Sequence, residues 1–209
     1  MKNKLRFRAF YWVWALGAIL IAGCAGTSPS VTFYTLNALS GMKADIPEDN
    51  AGLGIVIGIG PVTLPGYLDR PQIVTRKGQN QLDISEFHRW GDSLLKDFSR
   101  VMVKNVSILL STNRVTVYPW PDDFSPDYQI RLDVEQFDGQ IGHAVSLDVR
   151  WSVTGREGKD LVIQTSAIEE PMSTADYQGL VAAMSRAIDT LSRQVTKKIH
   201  RLEMTASAL

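Results

Sequence analysis

The fold is decided by residues 128–135, Tyr128-Gln-Ile-Arg-Leu-Asp-Val-Glu135, in which apolar and polar residues alternate. An extended strand with this alternation has one apolar face and one polar face. The alternation returns in residues 145–154 after a glycine-containing turn, and a third strand is predicted at 161–168. Neighbouring strands that are apolar on one face only are typical of an antiparallel meander with a core on one side.

Two segments with helical spacing flank this meander. In residues 91–110 apolar side chains recur every three or four positions, and Asp92 or Ser93 could cap the helix. A longer stripe occupies residues 177–202 and follows 173–176, Ser-Thr-Ala-Asp, which resembles a capping box. These elements predict an α+β two-layer sandwich, with both main helices on one face of a mixed, mostly antiparallel sheet.

The region before the first helix combines short strands with a proline-rich connection. Residues 31–36 and 54–60 predict strands, and glycines on one face of the second would let another element approach its backbone. Three prolines in residues 61–71 exclude a helix and predict a rigid, partly exposed connection. Residues 72–76 and 81–84 flank a predicted hairpin turn.

The N-terminus has the three parts of a lipoprotein signal peptide. Four basic residues precede an uncharged block, residues 10–22, which is shorter than the roughly 20 apolar residues that span a bilayer. Residues 21–24, Ile-Ala-Gly-Cys, end this block and contain the only cysteine. Small residues suit the signal peptidase, and the Cys24 thiol would carry the diacylglycerol. The alternative is an ordinary signal peptide with an unrelated cysteine, or an uncleaved anchor.

The predicted domains are therefore a signal peptide at 1–23, a lipidated N-terminus and tether at 24–30, and a single periplasmic α+β domain at 31–209. Three acyl chains would keep the protein on a membrane. Gram-negative lipoproteins with aspartate after the cysteine tend to stay in the inner membrane. Ala25 takes that place here, so by analogy we expect an outer-membrane anchor with the domain facing the periplasm.

Charge and motif content argue against several functional classes. Without its four basic signal residues the chain has 18 Lys and Arg against 22 Asp and Glu, a formal charge of −4 that does not favour nucleic acid. His88, His143 and His200 are far apart in the sequence, and neither a Gly-x-Ser-x-Gly elbow nor a zinc-binding histidine pair occurs. We predict no enzyme activity, no metal, and no cofactor besides the diacylglycerol and N-acyl chain on Cys24.

Five short motifs point to a family. They are Phe33-Tyr-Thr-Leu36, Ile59-Gly-Pro-Val62, Leu64-Pro-Gly-Tyr-Leu-Asp-Arg-Pro-Gln-Ile-Val74, Phe87-His-Arg-Trp90 and Asp176-Tyr177. Together they resemble the ABC-type transport auxiliary lipoproteins over almost the whole mature chain. The resemblance implies a non-enzymatic outer-membrane component of a lipid transport system. Such a lipoprotein would work with an inner-membrane transport component and dock a periplasm-spanning MCE-domain protein at the outer membrane.

The proline-rich loop is the candidate partner site, with Pro65, Tyr67, Leu68, Asp69 and Arg70 as its residues. Prolines lower the cost of ordering a loop on binding, and tyrosine and arginine are frequent interface anchors. In the alternative interpretation, Tyr67 and Leu68 fix the loop to the protein's own core while Asp69 pairs with Arg70.

Two other functions stay open. A periplasmic carrier of phospholipid would need a ligand-sized cavity between helices and sheet. An envelope hydrolase would need a polar cluster in a pocket. An open strand edge of the meander would in addition allow a ring or dimer of identical chains.

Overall fold

The computed structural model describes residues 29–39 and 54–206, so Cys24 and the predicted signal peptide lie outside the described residues. The described residues from Val31 onward belong to one compact unit. In chain order the described elements are β1 (Thr32–Tyr34), β2 (Ile57–Thr63), β3 (Gln72–Arg76), β4 (Leu82–Trp90), α1 (Leu94–Leu109), β5 (Val115–Val117), β6 (Tyr128–Gly139), β7 (Ala144–Gly155), β8 (Asp160–Pro171) and α2 (Tyr177–Ala206).

The strands form two sheets. In the five-stranded sheet, with order β5-β2-β6-β7-β8, strand β2 runs parallel to both β5 and β6, and β6 to β8 form the predicted antiparallel meander. In the three-stranded sheet, with order β1-β4-β3, β1 runs parallel to β4, and β3 and β4 form the predicted hairpin. The predicted α+β class with mixed strand directions is confirmed. The three-stranded sheet is an addition to the single sheet that the sequence predicts.

The register of the meander follows the alternation in the sequence. Leu132 pairs with Trp151, and both side chains are almost fully buried, whereas the neighbouring Arg131 and Arg150 are exposed. The Trp151 ring N–H donates a hydrogen bond of 3.0 Å to the hydroxyl of Ser166 on β8. One face of the meander therefore forms one side of the hydrophobic core. The buried polar atoms of this face have hydrogen-bond partners.

Both helices cover the apolar face of the five-stranded sheet. Helix α1 contacts β2 and β5, α2 contacts β6, β7 and β8, and the two helices contact each other. The Phe98 ring of α1 meets the Phe137 ring of β6 edge to face, with 5.5 Å between centroids. The predicted stripe of α2 is buried at Val181, Met184, Ile188, Leu191, Val195 and Ile199.

The two helix starts differ in their capping. Asp176 caps α2, because its Oδ1 accepts the N–H of Gly179 at 2.7 Å. Ser93 occupies the cap position of α1, but its side chain makes no capping hydrogen bond. Instead, Asp92 accepts the backbone N–H of Ser93 at 2.7 Å. A side-chain cap is thus present at α2, whereas at α1 the Asp92 carboxylate binds the N–H of the cap residue Ser93 and not an N–H of the helix.

The prediction that residues 61–71 contain no helix was wrong for one turn. Strand β2 continues through Pro61 to Thr63, and Gly66–Leu68 form a 3₁₀ turn. The turn is possible because its two hydrogen bonds come from residues after Pro65: the N–H of Leu68 donates to the Pro65 carbonyl at 2.9 Å, and the N–H of Asp69 donates to the Gly66 carbonyl at 3.2 Å. Pro65 accepts in the first of these bonds and needs no N–H of its own.

The glycines of β2 allow the close approach that the sequence predicts. A Cβ atom on Gly58 would lie 2.9 Å from the Trp120 ring. A Cβ atom on Gly60, where φ is +123°, would lie 2.6 Å from the Cβ of Tyr118. The segment after β5 thus packs directly on the β2 backbone.

Candidate functional site

The proline-rich loop is held by a buried carboxylate. The Tyr67 hydroxyl donates to Asp138 Oδ2 at 2.6 Å, and Arg76 Nε donates to Asp138 Oδ1 at 2.6 Å. Gln136 Nε2 donates to the same Oδ1 at 3.0 Å. Asp138 is 0% exposed, so these three donors compensate for the loss of hydration of its charge.

This environment shifts the pKa of two members of the network. Burial and the hydrogen bond to Asp138 raise the pKa of Tyr67 to about 12. The hydrogen bond to Asp138 also raises the pKa of Arg76. Tyr67 is therefore a neutral donor and Arg76 a permanent cation, which are the states that a buried aspartate requires.

The loop residues divide into an inward set and an outward set. Leu68 is 3% exposed and packs in the core, while Asp69 and Gly66 are exposed and Pro65 is half-buried. Asp69 and Arg70 form no ion pair in the part of the chain that the structure describes, which contradicts the local pairing expected in the alternative interpretation. The Arg70 side chain makes no hydrogen bond there either, and its Nε is buried.

Tyr67 and Leu68 are thus positioning residues of the loop, as the alternative interpretation expected. Pro65, Asp69 and Arg70 remain available to a partner. Whether this loop binds a partner stays a prediction.

An apolar groove of about 720 Å³ lies between α1 and the β2–β5 side of the five-stranded sheet. Leu95 and Val103 of α1 form one wall, Val117 and Tyr118 form the other, and Val62 belongs to β2 below them. Leu95 is 38% exposed and Val117 is 42% exposed, so the groove opens to solvent. Ligand sites in proteins commonly measure about 300–1,000 Å³.

Among the described residues, two cations, Lys96 and Arg100, belong to the lining of this groove and no carboxylate does. Arg100 Nη2 donates to Asp97 Oδ1 and to the Leu36 carbonyl, each at 2.6 Å. Asp97 in turn accepts the N–H of Leu36 at 2.8 Å. The guanidinium of Arg100 is therefore fixed in place before any ligand arrives.

A second cavity, of about 580 Å³, is lined by both charged and apolar residues and lies at the start of β6. Asp127 and Arg156 form an ion pair beside it. Burial and a hydrogen bond to Glu203 raise the pKa of Tyr128 to about 12. These acidic and basic groups neutralise one another, so the cavity presents no strong net charge to a ligand.

The histidines are not brought together. The His88 ring stacks on Tyr177 with 3.8 Å between centroids, and its Nδ1 lies 2.9 Å from the Tyr34 hydroxyl. His143 and His200 are exposed at other places in the fold. Among the described residues, no three His, Cys, Asp or Glu side chains are grouped to hold a metal ion. No helix in that same part of the chain is long and apolar enough to span a membrane.

The groove and the buried carboxylate were not predicted from the sequence. In the sequence, the pattern of α1 assigns Leu95, Lys96 and Arg100 to an ordinary solvent-exposed helix face. These residues line a groove only because β5 and the segment after it lie opposite them in the fold. Asp138 follows a register shift between Val134 and Gln136, which breaks the alternation that otherwise separates inward from outward residues.

The described domain is thus a helix-covered sheet that exposes a fixed loop and an open apolar groove. The sequence matches the family described as the ABC-type transport auxiliary lipoprotein component over residues 34–196, and the chain belongs to this family. It is thus a lipoprotein that assists an ABC-type transport system, which places it at a membrane of the cell envelope. This is a family of transport components and not of enzymes.

Solved structures support the fold. A crystal structure described only as an uncharacterized protein has a TM-score of 0.67 at 17% identity, covering 82% of this chain and 99% of that one. A crystal structure of a protein from Xanthomonas campestris has a TM-score of 0.65 at 13% identity, covering 87% of this chain and all of that one (100%). The sequence has no significant match among curated proteins. At these identities the likeness concerns the fold alone.

Proposed function

We propose that this protein is the outer-membrane lipoprotein of an MCE/ABC-type intermembrane lipid transport system. It is anchored through acyl chains on Cys24, faces the periplasm and docks the periplasm-spanning MCE-domain protein at the outer membrane. The observation that carries the proposal is the family match, which at residues 34–196 includes the loop, the groove and most of both helices.

The proline-rich loop is the docking surface in this proposal. Because Tyr67 and Leu68 fix the loop to the core, its outward residues are already ordered and lose little entropy on binding. Asp69 offers an exposed carboxylate, and the Arg70 guanidinium has no hydrogen-bond partner in the described chain. An arginine in that state is suited to a carboxylate of a partner protein.

Photocrosslinking in intact cells tests the docking role. A photoreactive residue replaces Asp69, which is exposed, because Leu68 is too deeply buried to reach a partner. The control replaces Glu157, which is also exposed but lies in the β7–β8 turn, at the opposite end of β6 from Asp138. We expect an MCE-domain protein to be trapped from position 69 and not from position 157. Equal trapping at both positions, or none at position 69, would refute the role of the loop.

A periplasmic lipid-binding carrier is the second candidate function. The apolar groove of about 720 Å³ favours it, because an acyl chain requires such a surface. The two functions are compatible, since the groove is lined by residues other than those of the loop.

A further inference from the structure

We infer that the apolar groove between α1 and the β2–β5 side of the sheet binds an acyl chain of an anionic phospholipid, with the phosphate held by Lys96 and Arg100. The inference rests on the proposed lipid-transport function and adds a site and a ligand class to it. The groove has three features that suit such a ligand: apolar walls, two cations and a fixed geometry of one of these cations.

The walls suit hydrocarbon. Leu95 and Val103 of α1 face Val117 and Tyr118 of the opposite wall, and 38–51% of the surface of Leu95, Val117 and Tyr118 is exposed. Ser99 also lines the groove, but its hydroxyl already donates to the Leu95 carbonyl at 2.8 Å. Exposed apolar side chains that line one concavity mark a binding groove more strongly than the same residues scattered singly.

The charges at the groove suit an anion. Lys96 and Arg100 are one helical turn apart on α1, and both line the groove. The only ion-pair partner of Lys96 in the described chain is Asp92, at 3.4 Å between two largely exposed side chains, so this pair competes weakly with a ligand. No described Asp or Glu lines the groove. Asp97, the ion-pair partner of Arg100, is only 5% exposed, so a phosphate would reach the exposed Lys96 and Arg100 side chains without direct contact with that carboxylate.

Arg100 is positioned before binding. Its Nε and Nη2 are bonded to Asp97 and to the Leu36 carbonyl, while its Nη1 has no hydrogen-bond partner in the described chain. The side chain is 54% exposed despite these bonds. A fixed guanidinium with a free N–H loses little conformational entropy when it binds a phosphate oxygen.

The test is photocrosslinking of the full-length protein in cells grown with radioactive phosphate. A photoreactive residue replaces Leu95 or Val117 in the groove, or Leu82 as the control. Leu82 is 37% exposed, which matches the 38% of Leu95, but it lies on β4 of the other sheet. The diacylglycerol and N-acyl groups predicted on Cys24 contain no phosphorus, so radioactivity on the purified protein reports a trapped lipid and not the anchor.

We expect about tenfold more label at positions 95 and 117 than at position 82, because lipid should occupy the groove about ten times as often as the surface around the control position. Phospholipase C should release the label, because it removes the phosphate headgroup from a crosslinked phospholipid. Two labelling results would overturn the inference: equal label at position 82, or only background label at positions 95 and 117. Label that phospholipase C does not release, or a trapped polypeptide, would also overturn it.

Charge variants test the headgroup contact separately. Lys96→Glu should lower labelling from position 117 roughly two- to five-fold, the range that an exposed ion pair contributes. Lys104→Glu is the matched control, because Lys104 is exposed on the same helix but does not line the groove. Unchanged labelling with Lys96→Glu would refute phosphate recognition. Trapping of the MCE-domain protein from position 69 does not depend on this groove, so the two proposals fail independently.

Discussion

Removal of one hydroxyl group from the proline-rich loop should measurably destabilise the whole domain. Tyr67→Phe keeps the ring but deletes the donor that lies 2.6 Å from Asp138 Oδ2. The other two donors, Arg76 and Gln136, both bind Oδ1. In the part of the chain that the structure describes, Oδ2 would then have no donor, although the carboxylate is 0% exposed.

The expected loss is about 1.5–3 kcal/mol in the free energy of unfolding, the usual value for a hydrogen bond to a charged group. In a domain of this size each kcal/mol corresponds to about 2–4 °C, so the melting temperature should fall by roughly 3–12 °C. Urea and thermal unfolding followed by circular dichroism measure both quantities. Tyr118→Phe is the matched control, because Tyr118 is 51% exposed and its hydroxyl has no hydrogen bond among the described residues.

The effect should also depend on pH in the alkaline range. Because the pKa of Tyr67 is about 12 in the folded protein and near 10 when unfolded, its contribution is fully present below pH 10. It is lost as the pH rises from 10 to 12, where the unfolded chain ionises first. The stability difference between wild type and Tyr67→Phe should therefore shrink across that interval. A difference below about 0.5 kcal/mol at neutral pH, the level of an ordinary surface substitution, would refute this account.

Three further predictions concern the strand glycine, the helix cap and the anchor. Gly60→Ala should cost about 1–3 kcal/mol in urea unfolding, because φ is +123° and the new Cβ would lie 2.6 Å from Tyr118, whereas Gly66→Ala has nothing within 4 Å and should be nearly neutral. Asp176→Ala should destabilise the domain in the same assay at neutral pH, because it removes the side-chain cap of α2. Because backbone N–H donors of α2 lower the pKa of Asp176 below its ordinary 3.8, this loss should vanish as the pH falls through that lowered value; a loss that persists in acid would contradict the capping role. Cys24→Ser should abolish palmitate labelling and move the protein from the membrane to the soluble fraction, and a variant that remains labelled would exclude this anchor.

The sequence determined the elements whose pattern is local. Strands β6 and β7 each alternate over several residues, and Leu132 pairs with Trp151 across a short turn, so one buried face fixes their register. The stripe from Tyr177 to Leu202 likewise identifies α2, because side chains three and four positions apart share one helix face. The predicted acylation of Cys24 also rests on the adjacent residues 21–24 alone, since a peptidase recognises them as an extended segment.

Only the tertiary structure decided what depends on distant segments. Strand β2 pairs in parallel with β5 and β6, and β1 pairs with β4, so neither pairing has a connecting turn that would reveal it in the sequence. Tyr67 and Asp138 are 71 positions apart, and the sequence gives no indication that the loop hydroxyl compensates a buried charge. The groove exists because α1 and β5 do not close over Leu95 and Val117. Local spacing specifies which side chains share a face, whereas packing decides whether that face is filled by the protein itself or left open for a ligand.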